Sequence, residues 1–200
     1  MSTVKATYIQ HPSASSPNFT LASDGTVSGG AGLGGLVHLH TESFSGQATI
    51  NIDNVFTADY DQYQMVGYLS SNTGTVGNVS IRMRSAGSTV STNSYYFNGT
   101  ELQSSSATSV SVARSNGLAG GFILGPINTM PASFNTTLYA PFLSAITEYN
   151  SLSIDSYGTD MLFRAMGGRM NTSASYDGVS LYVGSGTITG TIRVYGYAND

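Results

Sequence analysis

From residue 36 onward, apolar and polar positions alternate in short runs divided by turn signals, the period of half-buried β-strands. The clearest run is residues 48–69, ATINIDNVFTADYDQYQMVGYL. Ala48, Ile50 and Ile52 alternate with Thr49 and Asn51 and predict one strand. Asp53 and Asn54 supply turn chemistry, because short polar side chains bond their own backbone. Val55 and Phe56 follow as an apolar plug. From Gln62 the alternation resumes, with Tyr63, Met65 and Gly67 on one side and Gln64, Val66 and Tyr68 on the other. Apolar groups on both sides predict a strand covered on both faces in the middle of a sandwich.

The same rhythm predicts strands at 36–41, 79–84, 93–97, 107–113 and 120–124, the last ending at Gly125-Pro126. Residues 135–142 and 161–170 read as an antiparallel pair, and the link 143–157 is the one place where a short helical turn fits. Residues 179–183 and 189–197 read as a closing hairpin across Gly184-Ser185-Gly186. In the last strand Ile192 and Val194 share a face with Gly190 and Gly196, opposite Arg193, Tyr195 and Tyr197. No stretch of ordinary helix length carries an amphipathic helical pattern. The expected fold is all-β, a two-sheet antiparallel β-sandwich of jelly-roll-like kind.

Residues 1–35 follow a different pattern. Short strands fit within 3–9 and 19–27, but Pro12, Pro17 and the serines between them break regular structure. Residues 29–35 are nearly all glycine. This predicts an extended N-terminal arm and hinge, with the sandwich domain spanning 36–200. Tyr8, Ile9, Phe19 and Leu21 are its apolar anchors and would need a partner to bury them. Gly30, Gly32 and Gly35 satisfy the spacing of a dinucleotide-binding loop, yet no helix is predicted after them, so the hinge reading stands.

Composition narrows the classes. Only 9% of residues are charged, against 24 glycines and 13 tyrosines, so Ser, Thr, Asn and Gly must cover the surface. Such a skin suits chains that pack closely on one another. The net charge is −4, and the single lysine (Lys5) and six arginines are spread along the chain. No basic stripe exists to neutralise phosphates, so no nucleic-acid partner is expected. With no cysteine, disulfides and thiolate zinc sites are excluded. The first twenty residues show neither an apolar nor a basic signal region, and no run has the length of a membrane span. These features predict a protein folded in a cytoplasm without membrane insertion.

Candidate chemistry is sparse. His38 and His40, with Glu42 continuing their face, form a set that can hold a divalent metal; a surface strand or a symmetry-axis lining is the simpler reading, and no metal is expected. Asp53, Asp59 and Asp61 flank the plug. Acid–base work on a glycoside or a calcium site with Asn54 can be imagined there, but turn capping explains them. Tyr95, Tyr96, Tyr195 and Tyr197 offer apolar ring faces with polar edges and are candidate carbohydrate contacts, although core or subunit packing would use the same residues. Ser185 sits in a turn with no base near it. No catalytic residue and no cofactor are expected, and the chain reads as no enzyme.

The order of these runs resembles a domain recurring in structural proteins of tailed bacteriophages. The likeness is carried by the opening at 36–44, the 48–69 stretch, NVSIRMRSAG followed by NSYYFNG, and the close DGVSLYVGSGTITGTIRVYGYAND. It spans roughly 36–200 and thins between 101 and 170. The resemblance implies a non-enzymatic virion component, usually a homotrimer, at the surface of the particle and assembled in the host cytoplasm. A short N-terminal arm without fibrous repeats suits a compact knob that decorates the capsid, neck or tail and docks on the major capsid or another virion protein. The alternative it implies is a receptor-binding tail-fibre module, lectin-like, for host surface carbohydrate.

Overall fold

The computed structural model describes residues 8–9, 19–21, 27–29, 35–74, 77–92, 94–104, 110–116, 120–127, 131–157 and 160–198. Among these the regular structure is all strand, with no helix, and two antiparallel sheets pack together as a β-sandwich. Strands β1 (Tyr8–Ile9), β2 (Phe19–Leu21) and β3 (Val27–Gly29) pair antiparallel in a small sheet of their own. The side chains of the expected anchors Tyr8, Ile9, Phe19 and Leu21 lie outside the described residues, as does the glycine run at 30–34.

The sandwich is built from β4 (Leu36–Gln47), β5 (Thr49–Ile52), β6 (Gln62–Asn72), β7 (Gly77–Ser85), β8 (Ser88–Thr89), β9 (Tyr95–Gln103), β10 (Val110–Asn116), β11 (Phe122–Ile127), β12 (Ala132–Tyr139), β13 (Ala145–Tyr157), β14 (Asp160–Ala174), β15 (Gly178–Val183) and β16 (Ile188–Tyr197). The larger sheet has eight strands in the order β10-β9-β14-β13-β12-β6-β16-β4. The smaller runs β11-β7-β15-β5, with β8 paired to β7. Between β7 and β8, Ala86 and Gly87 both have positive φ, the backbone of a two-residue hairpin turn whose twist matches its strands.

The core lies between the two inner faces. Tyr63, Met65, Leu69, Leu138, Met166, Ile192 and Val194 come from the large sheet, and Ile52, Val79, Ile81, Met83, Phe122 and Leu181 from the small one, all buried. The 48–69 stretch folds as its pattern predicts. Asn54 takes the left-handed backbone of the turn, and the Asp177 carbonyl accepts from the Val55 and Phe56 amides at 2.8 and 3.1 Å. That places the Phe56 ring edge-on to Tyr63, centroids 4.6 Å apart. The Tyr63 hydroxyl in turn donates to the Thr57 carbonyl and accepts from its amide.

At one end of the small sheet a buried guanidinium ties three segments together. Arg84 donates from Nε and Nη2 to the two oxygens of Asp53 at 2.6 and 3.1 Å. Nη1 donates to Thr89 and Ser180, and Nη2 also to the Gly87 carbonyl. A second arginine, Arg164, bonds Glu101 and Asn78.

Four expectations are corrected. Residues 145–157 form a strand, not a helical turn, and β13 inserts between β12 and β14, which therefore do not pair. β15 and β16 are no hairpin: they belong to different sheets, and residues 184–187 carry the chain across the sandwich. β11 runs on through Gly125 and Pro126, with a register shift between Ile123 and Gly125. A proline is tolerated there because β11 is an edge strand. Finally, β6 is central in its sheet but covered on one face only, with Val66 and Tyr68 exposed.

Candidate functional site

The outer face of the eight-stranded sheet carries the features that matter. On β13 the inward residues are Thr147, Tyr149, Ser151, Ser153 and Asp155, all buried, while Leu152 and Ile154 point outward. The strand thus buries its hydroxyls and exposes its aliphatics. Of these hydroxyls Ser151 is satisfied: it shares a 2.7 Å hydrogen bond with Thr136 and donates to the Leu124 carbonyl. Outward, Leu152 is 54% exposed and Tyr68 55%. Register sets Ile154 beside Phe163, and Phe163 beside Leu102. Leu102, Phe163, Met161, Leu152 and Ile154 so form one apolar band across β9, β14 and β13, whereas Val66 and Tyr68 on β6 lie beyond the exposed Asn135 and Ser133 of β12.

Polarity is sorted along these strands. Outward residues run Tyr96, Asn98, Thr100, Leu102 on β9 and Arg169, Gly167, Ala165, Phe163 on β14. They run Glu148, Asn150, Leu152, Ile154 on β13 and Gln62, Gln64, Val66, Tyr68 on β6. Each of these four strands passes from polar or aromatic at one end to apolar or aromatic at the other, but β12, between β13 and β6, ends on Asn135 and Ser133.

At the polar end lies a hollow of about 680 Å³ lined by Tyr96, Asn98, Tyr139, Glu148, Asn150, Gly167, Gly168 and Arg169, among others. Of the two glycines of β14 that line it, Gly167 faces outward and Gly168 inward. A Cβ on Gly168 would stand 2.1 Å from the Tyr96 carbonyl oxygen, so close packing requires that glycine. Gly167 is different: a Cβ there would meet nothing nearer than the Tyr149 carbonyl oxygen at 3.7 Å, and its φ is not positive. Nothing in the packing requires a glycine at 167, and one inside a strand costs roughly 0.5–1 kcal/mol relative to alanine. Beneath the floor, Tyr149 stacks on Phe122 at 4.1 Å, and Phe122 meets Tyr95 edge-on at 5.0 Å. Burial holds the Tyr95 and Tyr149 hydroxyls well above the ordinary tyrosine pKa. The floor is therefore a fixed aromatic column. On the rim, Asn150 Nδ2 donates to the Tyr139 hydroxyl at 2.9 Å.

The sequence candidates separate accordingly. Tyr96 lines the hollow. Tyr95 points inward, is 0% exposed and spends its hydroxyl on Val90 and Met83, so no sugar can stack on it. Tyr195 and Tyr197 lie on β16, five strands from β9 and so about 24 Å away. Tyr195 meets the His38 ring at 5.5 Å. The four tyrosines do not make one site. The histidine set is also divided, because a register shift in β4 pairs Val194 with His40 and Tyr195 with His38, which puts the two imidazoles on opposite faces. His40 lies 3.2 Å from Glu42, and His38 is 2.7 Å from the Thr41 hydroxyl. Among the described residues no three of His, Asp and Glu gather as a metal site. Asp53 is held by Arg84, and Asp59 accepts from the Thr57 hydroxyl. Sequence reasoning missed Tyr139, Asn150 and Gly167, because a site assembled across three ladders has no signature along the chain.

No known protein-family model matches the chain, and no curated protein is significantly similar to it in sequence.

Proposed function

We propose that this chain is a non-enzymatic structural protein of a tailed-phage virion, a surface knob that assembles with further copies of itself through the outer face of its large sheet. The observation that carries the assembly is the reversed polarity of β13, which exposes Leu152 and Ile154 inside an apolar band shared with β14 and β9. Exposed apolar patches of this continuity mark interaction surfaces. The 9% charge content leaves little repulsion against such packing. The phage setting is supported by the sequence motifs at 36–69, 78–99 and 177–200. The same resemblance supports a closed trimer, which stops a sticky face from propagating. Residues 1–35 would then be the attachment to a capsid or other virion protein.

Light scattering of the full-length chain tests this. A trimer of 20.9 kDa chains has a mass of about 63 kDa, and a Leu152→Asp/Ile154→Asp variant with unchanged circular dichroism should fall to the single-chain mass. A wild-type chain that stays monomeric at micromolar concentration refutes the assembly. Absence of the chain from purified particles of its source phage refutes the virion placement.

A further inference from the structure

We propose that the hollow over Gly167 binds a short neutral oligosaccharide. This goes beyond the assembly reading and does not depend on it. Tyr96 and Tyr139 stand on β9 and β12, three strand spacings or about 14 Å apart, with the hollow between them. A pyranose presents an apolar C–H face and a ring of hydroxyls. Tyrosine rings answer the first, and the Asn98 and Asn150 side chains, each donor and acceptor at once, answer the second. Glu148 and Arg169 face each other across the β13–β14 ladder, and neither enters an ion pair among the described residues. One therefore accepts and the other donates.

Other ligand classes fit less well. A phosphate would find Arg169 offset by Glu148. A peptide strand would need free backbone groups at a sheet edge, whereas this hollow lies on a sheet face. The volume of about 680 Å³ falls within the range of small-ligand sites. The glycine at 167 is the independent sign. Packing and backbone conformation leave room for a side chain there, and any side chain would fill the floor. A glycine inside a strand often marks the place where a ligand comes close.

Saturation-transfer difference NMR on the full-length chain provides the test, with maltotriose, cellotriose and chitotriose each supplied at millimolar concentration. At least one should receive saturation through its ring protons. Gly167→Val should abolish that transfer while leaving circular dichroism and solution mass unchanged. Tyr96→Ala should weaken it about tenfold, the scale of one aromatic contact. Arg169→Ala, an exposed position, serves as a second variant should Gly167→Val disturb the strand. No transfer to any of the three sugars, or transfer that survives both Gly167→Val and Arg169→Ala, overturns the proposal. Binding that persists in the Leu152→Asp/Ile154→Asp variant supports a site independent of assembly, so failure of one reading leaves the other testable.

Discussion

Removing the carboxylate of Asp53 should destabilise the fold more than removing the arginine it holds. The Arg84 side chain is only 7% exposed, and all five of its N–H donors are used, two of them on Asp53. Asp53→Ala strips two hydrogen bonds from a buried cation and leaves it without a counter-ion. Bonds to charged groups are worth about 1.5–3 kcal/mol each. Water returns part of this, because the Asp53 side chain is 35% exposed, and the net loss should be about 2–3 kcal/mol. For a chain of this size that lowers Tm by roughly 4–12 °C. Arg84→Met instead removes charge and donors together while keeping most of the volume. The acceptors it leaves are not orphaned: Thr89 and Ser180 still bond each other, Ser180 bonds Asn51, and Asp53 reaches water. Its cost should stay below about 1.5 kcal/mol. Urea unfolding of both single variants and the double variant, followed by circular dichroism, completes the cycle. Should Arg84→Met cost as much as Asp53→Ala, the desolvated charge is not what the carboxylate answers, and the reasoning fails.

Phe56 is 1% exposed, so Phe56→Ala should cost about 3–5 kcal/mol in the same urea assay, and a loss under about 1 kcal/mol would make the plug peripheral. Tyr95 and Tyr149 have pKa values raised above 10.0 by burial, so the folded chain keeps their protons while the unfolded chain releases them. The stability tied to this is intact below about pH 10 and is lost as pH climbs beyond it. Two such groups give a slope of about −2.7 kcal/mol per pH unit. Urea midpoints across that range, read beside tyrosinate absorbance, check it, and flat midpoints would contradict the burial of both hydroxyls.

Legibility in the sequence followed the chemistry of each inner face. On β6, β7 and β16 the buried positions are Tyr63, Met65 and Leu69; Val79, Ile81 and Met83; and Ile192 and Val194, so alternation showed the strands. On β13 the buried positions are mostly hydroxyls and a carboxylate, so hydrophobic periodicity does not mark the strand and the segment reads as a link with room for a helical turn. The crossover at 184–187 carries the same small residues as a hairpin turn. Which partners β15 and β16 choose is set by distant strands, not by the turn between them. The histidine pair failed for a related reason, since period-two counting places His38 and His40 together and a bulge in β4 undoes it. At Tyr95-Tyr96 the pattern shows that one ring points in and one out. Only the docking of Phe122 against Tyr95 decides which.

Sorting of polarity along three adjacent strands, β9, β14 and β13, links the two proposed surfaces. Scattered exposed apolar residues need no explanation, because most protein surfaces carry them. Here the apolar side chains of β9, β14 and β13 collect at one end, while Tyr96, the amides and the facing charges Glu148 and Arg169 collect at the other. Copies joined through the apolar ends would hold the hollow at the free rim of each subunit. The arrangement also explains why the strand glycine is at 167 and not two positions earlier, where Ala165 lies against Leu152. A glycine at 165 would thin the apolar band, whereas one at 167 opens the polar floor. Gly167→Val should therefore leave the solution mass untouched, and Leu152→Asp/Ile154→Asp should leave sugar binding untouched. Cross-effects in both directions would mean a single continuous surface and would collapse the two proposals into one.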